Sequence, residues 1–226
     1  MNMNTKRIIF VGGAASVGKT SLINNLKQRG TVTAVEKSDI YKDLGKKRNI
    51  SSIEELFSKI TEEDYVNYIT EIFSTTDTLI LGLHYAFQPQ KDTLLFLGIN
   101  QGEESESYKC SISDNLIEMF NERGISLVSA ILTANPDTLL NRAINRNKLT
   151  GQPIRNFILE DTIRELEAEH QFFEEISLRS QANFVVKVDE KSLDVVCNEF
   201  LSEVRTLITS NDKNILGEEQ PSNFGL

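Results

Sequence analysis

The chain has 226 residues, 39% apolar and 25% charged, with a formal net charge of −9 at neutral pH. This length is sufficient for one α/β domain with its own core and the composition is ordinary for a globular protein, and the negative charge disfavours a broad nucleic-acid or anionic-membrane surface, whose long-range attraction needs the opposite sign. Two cysteines, Cys110 and Cys197, in no paired or metal-ligand spacing, argue against a disulfide framework and a zinc centre. No apolar run approaches spanning length, so a soluble, cytoplasmic protein is expected.

Short apolar runs at residues 7–11, 31–35, 78–83, 125–133 and 183–188 read as five buried strands, with helical patterns between most of them. The first run leads into Gly13-Ala14-Ala15-Ser16-Val17-Gly18-Lys19-Thr20, which fits GxxxxGK[ST]. That pattern turns backbone N–H groups inward around a phosphate, aims the lysine at the terminal phosphates and offers the Thr20 hydroxyl to a magnesium ion. Gly13 through Ser21 are therefore the expected ATP-binding residues, helped by the positive end of the helix that starts near Gly18.

After the second strand, Ser38-Asp39 places a carboxylate at a strand end. Asp39 is read either as a magnesium partner or acceptor-hydroxyl base, or as a turn aspartate. Ser52 with Glu55 predicts a capping box, Thr61 a second turn signal, and Val66, Ile69 and Phe73 an apolar helical stripe. The third strand ends in Gly82-Leu83-His84-Tyr85, where a lone histidine is more often structural than catalytic.

Residues 85–112 form a long connection with an acidic patch, Glu103, Glu104 and Glu106, read as a hairpin or small insertion. Asn135-Pro136 predicts a helix start. Arg142, Arg146 and Arg155 flank a Gly151-Gln152-Pro153 turn and are read either as a clamp over transferring phosphates or as a solvated basic helix end. In the next helix Ile163, Leu166, His170 and Phe173 form the expected inner stripe, with the acidic residues elsewhere. Cys197 is read as packing. The domain is expected over residues 1–209, with 210–226 a flexible tail.

The order of these pieces resembles the P-loop nucleoside-monophosphate kinase superfamily, nearest to archaeal-type adenylate kinases, over about residues 6–190. The matching elements are the phosphate loop, Ser38-Asp39, His84 after the third strand, Asn135-Pro136-Asp137 leading to Arg142, and Arg146 and Arg155. The resemblance implies a five-stranded parallel sheet, an acceptor region near 38–75 and a lid near 146–157. It also implies ATP and Mg²⁺ as cofactors and a small-molecule phosphate acceptor such as a nucleoside monophosphate. Gly82 stands where that family has an acidic magnesium residue, which leaves Asp39 to serve the ion.

The expected activity is Mg-dependent transfer of the ATP γ-phosphoryl group. Catalysis falls to Lys19, Arg142, Arg146, Arg155 and Asp39, and metal binding to Thr20 and Asp39. Lys19 is expected at the surface of the phosphate site, with little packing role. The alternative, motivated by Gly82 and the acidic patch, is a nucleotide-binding switch or slow ATPase with a protein partner. The guanine-nucleotide signatures DxxG and NKxD are not found.

Overall fold

The computed structural model describes residues 5–50, 55–56, 59–88, 107–151 and 158–215. The expected strands form β1 (Lys6–Gly12), β2 (Thr33–Glu36), β3 (Thr78–Gly82), β6 (Ile125–Thr133) and β7 (Ala182–Lys187). They make one parallel sheet in the order β2-β3-β1-β6-β7. The short strands β4 (Ala86–Phe87) and β5 (Lys109–Cys110) pair antiparallel in a separate ribbon at the two ends of the long connection. The acidic patch and the predicted Ser52 cap lie outside the described residues.

The described helices are α1 (Lys19–Arg29), α2 (Lys37–Lys47), α3 (Glu62–Ile72), α4 (Asp114–Glu122), α5 (Pro136–Thr150), α6 (Leu159–Ser177) and α7 (Leu193–Ile215). Their ends follow from local chemistry. Thr61 and Asp64 form a reciprocal capping box at α3, with Asp64 N–H donating to Thr61 Oγ1 at 3.2 Å and Thr61 N–H to Asp64 Oδ2 at 2.9 Å; a cap of this kind contributes about 1 kcal/mol. Ser113 caps α4 through Leu116 N–H at 3.0 Å. Helix α7 runs on to Ile215, so residues 210–215 are helical. No glycine or proline intervenes before Gly217 to stop them.

Alternation along β1 divides the core. Ile8 and Phe10 face α2, α3, α4 and α6 through Ile40, Val66, Ile69, Phe120 and Phe173. Ile9 and Val11 face α1, α5 and α7 through Leu22, Leu26, Leu139, Phe200 and Val204. Cys197 is fully buried in this second layer, as packing requires. With both faces covered, the central strand is apolar nearly throughout, and the carboxyl ends of the strands are where side chains with chemistry collect. No helix of the described residues is long and apolar enough to cross a membrane.

Candidate active site

The loop leaves β1 at Gly12 and enters α1 at Lys19. It makes the turn with positive φ at Gly13 (136°), Ser16 (65°) and Gly18 (108°). At Gly13 the requirement is steric as well, since a Cβ there would run into the carbonyl oxygen of Leu132. Gly18 is the N-cap of α1, no side chain caps the helix, and its first turn carries no acid. The N-terminal amides and the positive end of the helix dipole are thereby left for an anion. Thr20 and Ser21 are exposed beside them.

Lys19, in contrast to expectation, is only 7% exposed. Its ammonium donates to the carbonyl oxygens of Gly13 and, at 3.2 Å, Ala14. The lysine is folded back along the loop because carboxylates stand behind it. These are Glu165 and Glu169 of α6, both fully buried.

Glu169 Oε2 accepts from Gly13 N–H at 3.1 Å and Tyr85 N–H at 2.9 Å, while its Oε1 lies 2.8 Å from His84 Nδ1. Glu165 Oε1 accepts from Ala15 N–H at 2.9 Å. Burial alone raises a carboxyl pKa. At Glu169 the hydrogen bond and charge of His84, the charge of Lys19 and the Tyr85 amide outweigh it and hold the carboxyl below its ordinary value. One side chain of α6 thus ties together the start of the phosphate loop and the segment after β3.

Of the expected inner stripe of α6, Phe173 is buried, but the other buried positions are Thr162, Glu165, Glu169 and Ile176, so two acidic residues lie inward and not elsewhere. Ile163 and Leu166 are half-buried, and His170, also half-buried, lies 3.1 Å from Thr133 Oγ1 through Nε2. The helix turns its carboxylates inward because unpaired loop amides await them there, and burying a charge is tolerable when it is hydrogen-bonded this fully.

The missing acid at Gly82 has a structural counterpart. In the β2–β3 register Glu36 is the partner of Gly82, and a Cβ on Gly82 would sit 2.7 Å from Glu36 Oε2 and 2.9 Å from Ile23 Cγ1. The Glu36 carboxylate therefore occupies the space beside α1 that a side chain on β3 would fill. Its Oε1 is buried without a hydrogen-bond partner. Asp39, expected to serve the ion, instead pairs with Lys27 at 3.2 Å and Lys42 at 3.8 Å on a half-exposed surface. Lys27 lies eight residues beyond Lys19, about 12 Å along α1 at helical rise.

Arg142 of α5 reaches the loop, donating to Val17 O at 3.5 Å and to Val188 O at 3.3 Å. Arg146 follows one turn later, half-buried, with its Nε unpartnered. Arg155 and the second half of the expected lid, residues 152–157, lie outside the described residues. On the other side of His84, Ser111 Oγ donates to the His84 carbonyl, Ser111 N–H to Tyr85 O at 2.8 Å, and Lys37 Nζ to Ser111 O at 2.8 Å. Burial brings the Lys37 ammonium down to about 8, against opposition from Cys110 and Glu62.

A GxxxxGK[ST] loop between the central strand of a five-stranded parallel sheet and an uncapped helix defines a P-loop nucleotide-binding fold. No protein-family model matches the chain, and no curated protein matches it. Among solved structures it is similar to a shikimate kinase from Bacteroides thetaiotaomicron, at 17% identity over 88% of this chain and 98% of that one, with a TM-score of 0.48. It is also similar to a gluconokinase from Sinorhizobium meliloti, at 14% identity over 96% and 99%, TM-score 0.45. A third is the YorR protein of Bacillus subtilis in complex with phosphorylated GDP, at 13% identity over 88% and 95%, TM-score 0.49. At such identities the acceptor of none of them transfers to this chain.

Proposed function

We propose that the protein is an ATP-dependent kinase that transfers the γ-phosphoryl group to a small-molecule acceptor. The observation that carries this reading is the loop itself: positive-φ backbone at Gly13, Ser16 and Gly18, an uncapped α1 N-terminus, and an ammonium held on the loop at Lys19. In this reading the amides at the start of α1 receive the donor phosphates, and Lys19 leaves the Gly13 and Ala14 carbonyls to neutralise them. Arg142, already on the loop at Val17, supplies positive charge from the side of α5, with Arg146 one turn behind it.

Thr20 and Glu36 are the residues proposed to hold Mg²⁺, the exposed hydroxyl directly and the carboxylate directly or through water. The unpartnered, buried Glu36 Oε1 fits an oxygen-ligated cation. Held there, the ion would supply positive charge that offsets charge developing on the donor phosphates. Asp39 keeps no role in this proposal, because its carboxylate is committed to Lys27 and Lys42.

The test is phosphoryl transfer itself. Purified protein with Mg-ATP is assayed for ADP against nucleoside monophosphates, nucleosides, sugars, and hydroxy acids including shikimate and gluconate, with Lys19→Met as the control for contaminants. A phosphorylated acceptor formed by the wild type and not by the variant supports a kinase. ATP that neither binds nor turns over removes the reading.

A further inference from the structure

The His84–Glu169 pair carries an inference about the acceptor, and it rests on the phosphotransfer reading above. We propose that His84 is the general base of the reaction, taking the proton of the acceptor at Nε2, and that the acceptor accordingly presents a hydroxyl group and not a phosphate.

The tautomer follows from the neighbours. Glu169 Oε1 lies 2.8 Å from His84 Nδ1. An ionised carboxylate only accepts, so Nδ1 carries the hydrogen. The Lys19 ammonium, 3.4 Å from the same nitrogen, only donates and is left with its carbonyl partners at Gly13 and Ala14. The free lone pair is then on Nε2, across the ring, for which no hydrogen bond is found among the described residues. The side chain is 36% exposed, whereas both carboxylates behind it are fully buried. A buried carboxylate on one imidazole nitrogen, a second nitrogen without a partner among the described residues on a partly exposed side chain, and the phosphate-loop lysine on the same cluster fit a base beside the phosphoryl donor.

The charged groups that face the ring are Lys19 from the loop, Glu169, and Glu165, whose Oε1 lies 3.9 Å from Nδ1. The two carboxylates stabilise the imidazolium formed when the base is protonated, and Lys19 opposes it. A phosphate acceptor is already anionic at neutral pH and gives such a base nothing to do. A hydroxyl must lose its proton.

The step balances: the acceptor oxygen forms a bond to Pγ, the bond from Pγ to the β,γ-bridging oxygen breaks, and ADP leaves with that electron pair. The acceptor proton passes to His84 Nε2 and from there to solvent. Water is itself a hydroxyl acceptor, so the base can be tested by slow ATP hydrolysis before the natural acceptor is in hand.

The first variant is His84→Asn, whose side-chain amide retains a donor for Glu169 while removing Nε2. The thermal midpoint should stay within a few degrees of wild type and the affinity for a fluorescent ATP analogue within about twofold, while hydrolysis should fall about 10²–10⁴-fold. Glu169→Gln is the second variant, because its amide NH₂ facing Nδ1 favours the opposite tautomer. Ring ¹⁵N shifts of His84 should report Nδ1–H in the wild type and Nε2–H in Glu169→Gln, with hydrolysis lowered in that variant.

Hydrolysis by His84→Asn within threefold of wild type, or a nucleoside monophosphate phosphorylated at undiminished rate by that variant, overturns the base while leaving a kinase standing. Absence of any ADP from the wild type, with or without acceptors, overturns both readings.

Discussion

Glu169 is the strongest test of the structure because three separate donors converge on one buried side chain. Glu169→Ala orphans the Gly13 and Tyr85 amides, each costing about 1–3 kcal/mol when left unsatisfied in the interior. For a chain of this size about 1 kcal/mol moves the midpoint by 2–4 °C, so a fall on the order of 10 °C is expected. Glu169→Gln keeps a carbonyl oxygen for the two amides and loses the charge that answers His84 and Lys19, and should cost only a few degrees.

Because the Glu169 carboxyl is held below its ordinary value, its ionised contribution is complete above the usual glutamate pKa of about 4.3. It is lost as the pH falls through the lower folded value. The gap between wild type and Glu169→Gln should therefore be full at neutral pH and close in strong acid. Calorimetry across pH measures this, with exposed Glu167→Ala as a control expected to change stability by less than about 0.5 kcal/mol. A Glu169→Ala protein that melts within about 2 °C of wild type would refute the brace, since that corresponds to roughly 1 kcal/mol or less.

Lys19→Met should lower phosphoryl transfer by about 10²–10³-fold, as for loss of one charge-stabilising donor. It should also shift the melting temperature, since the lysine is buried beside Glu165 and Glu169; steady-state turnover and a thermal melt on one preparation check both. Glu36→Gln should raise the magnesium concentration for half-maximal rate by about 10–100-fold, the usual cost of a metal-supporting carboxylate, whereas Asp39→Asn should leave it unchanged; a magnesium titration of each variant decides between the two carboxylates. The Lys37 Cε and Nζ resonances should titrate with a midpoint near 8, well below those of the surface lysines, and a midpoint near 10 would show that its burial carries no such penalty.

The strands and the loop were legible in the sequence because their signals are local. A continuous apolar run marks a strand covered on both faces, and GxxxxGK[ST] fixes its own backbone. In α6 the sequence pattern places Phe173 inward but not Glu165 and Glu169, because their inward position is settled by partners 150 and 156 residues away, the Ala15 and Gly13 amides. Periodicity weighs Ile163 and Leu166 as the natural inner face and cannot see that Glu165 and Glu169 have donors waiting. The resemblance looks for an acid at Gly82 itself, whereas the carboxylate beside that position belongs to Glu36, its partner on β2. Glu36 is the last residue of a short strand, and a carboxylate there was the available signal. For Asp39, the sequence shows the carboxylate but not that α2 carries it to Lys27.

Phosphoryl transfer followed directly by ³¹P NMR tests the central claim most closely. With Mg-ATP, wild-type protein and a hydroxyl acceptor panel, the account predicts that the γ-phosphate resonance decays into a phosphate ester and ADP, and that Lys19→Met leaves ATP intact. ATP that persists unchanged with wild-type protein, at concentrations where the folded chain shows no nucleotide binding, would contradict it.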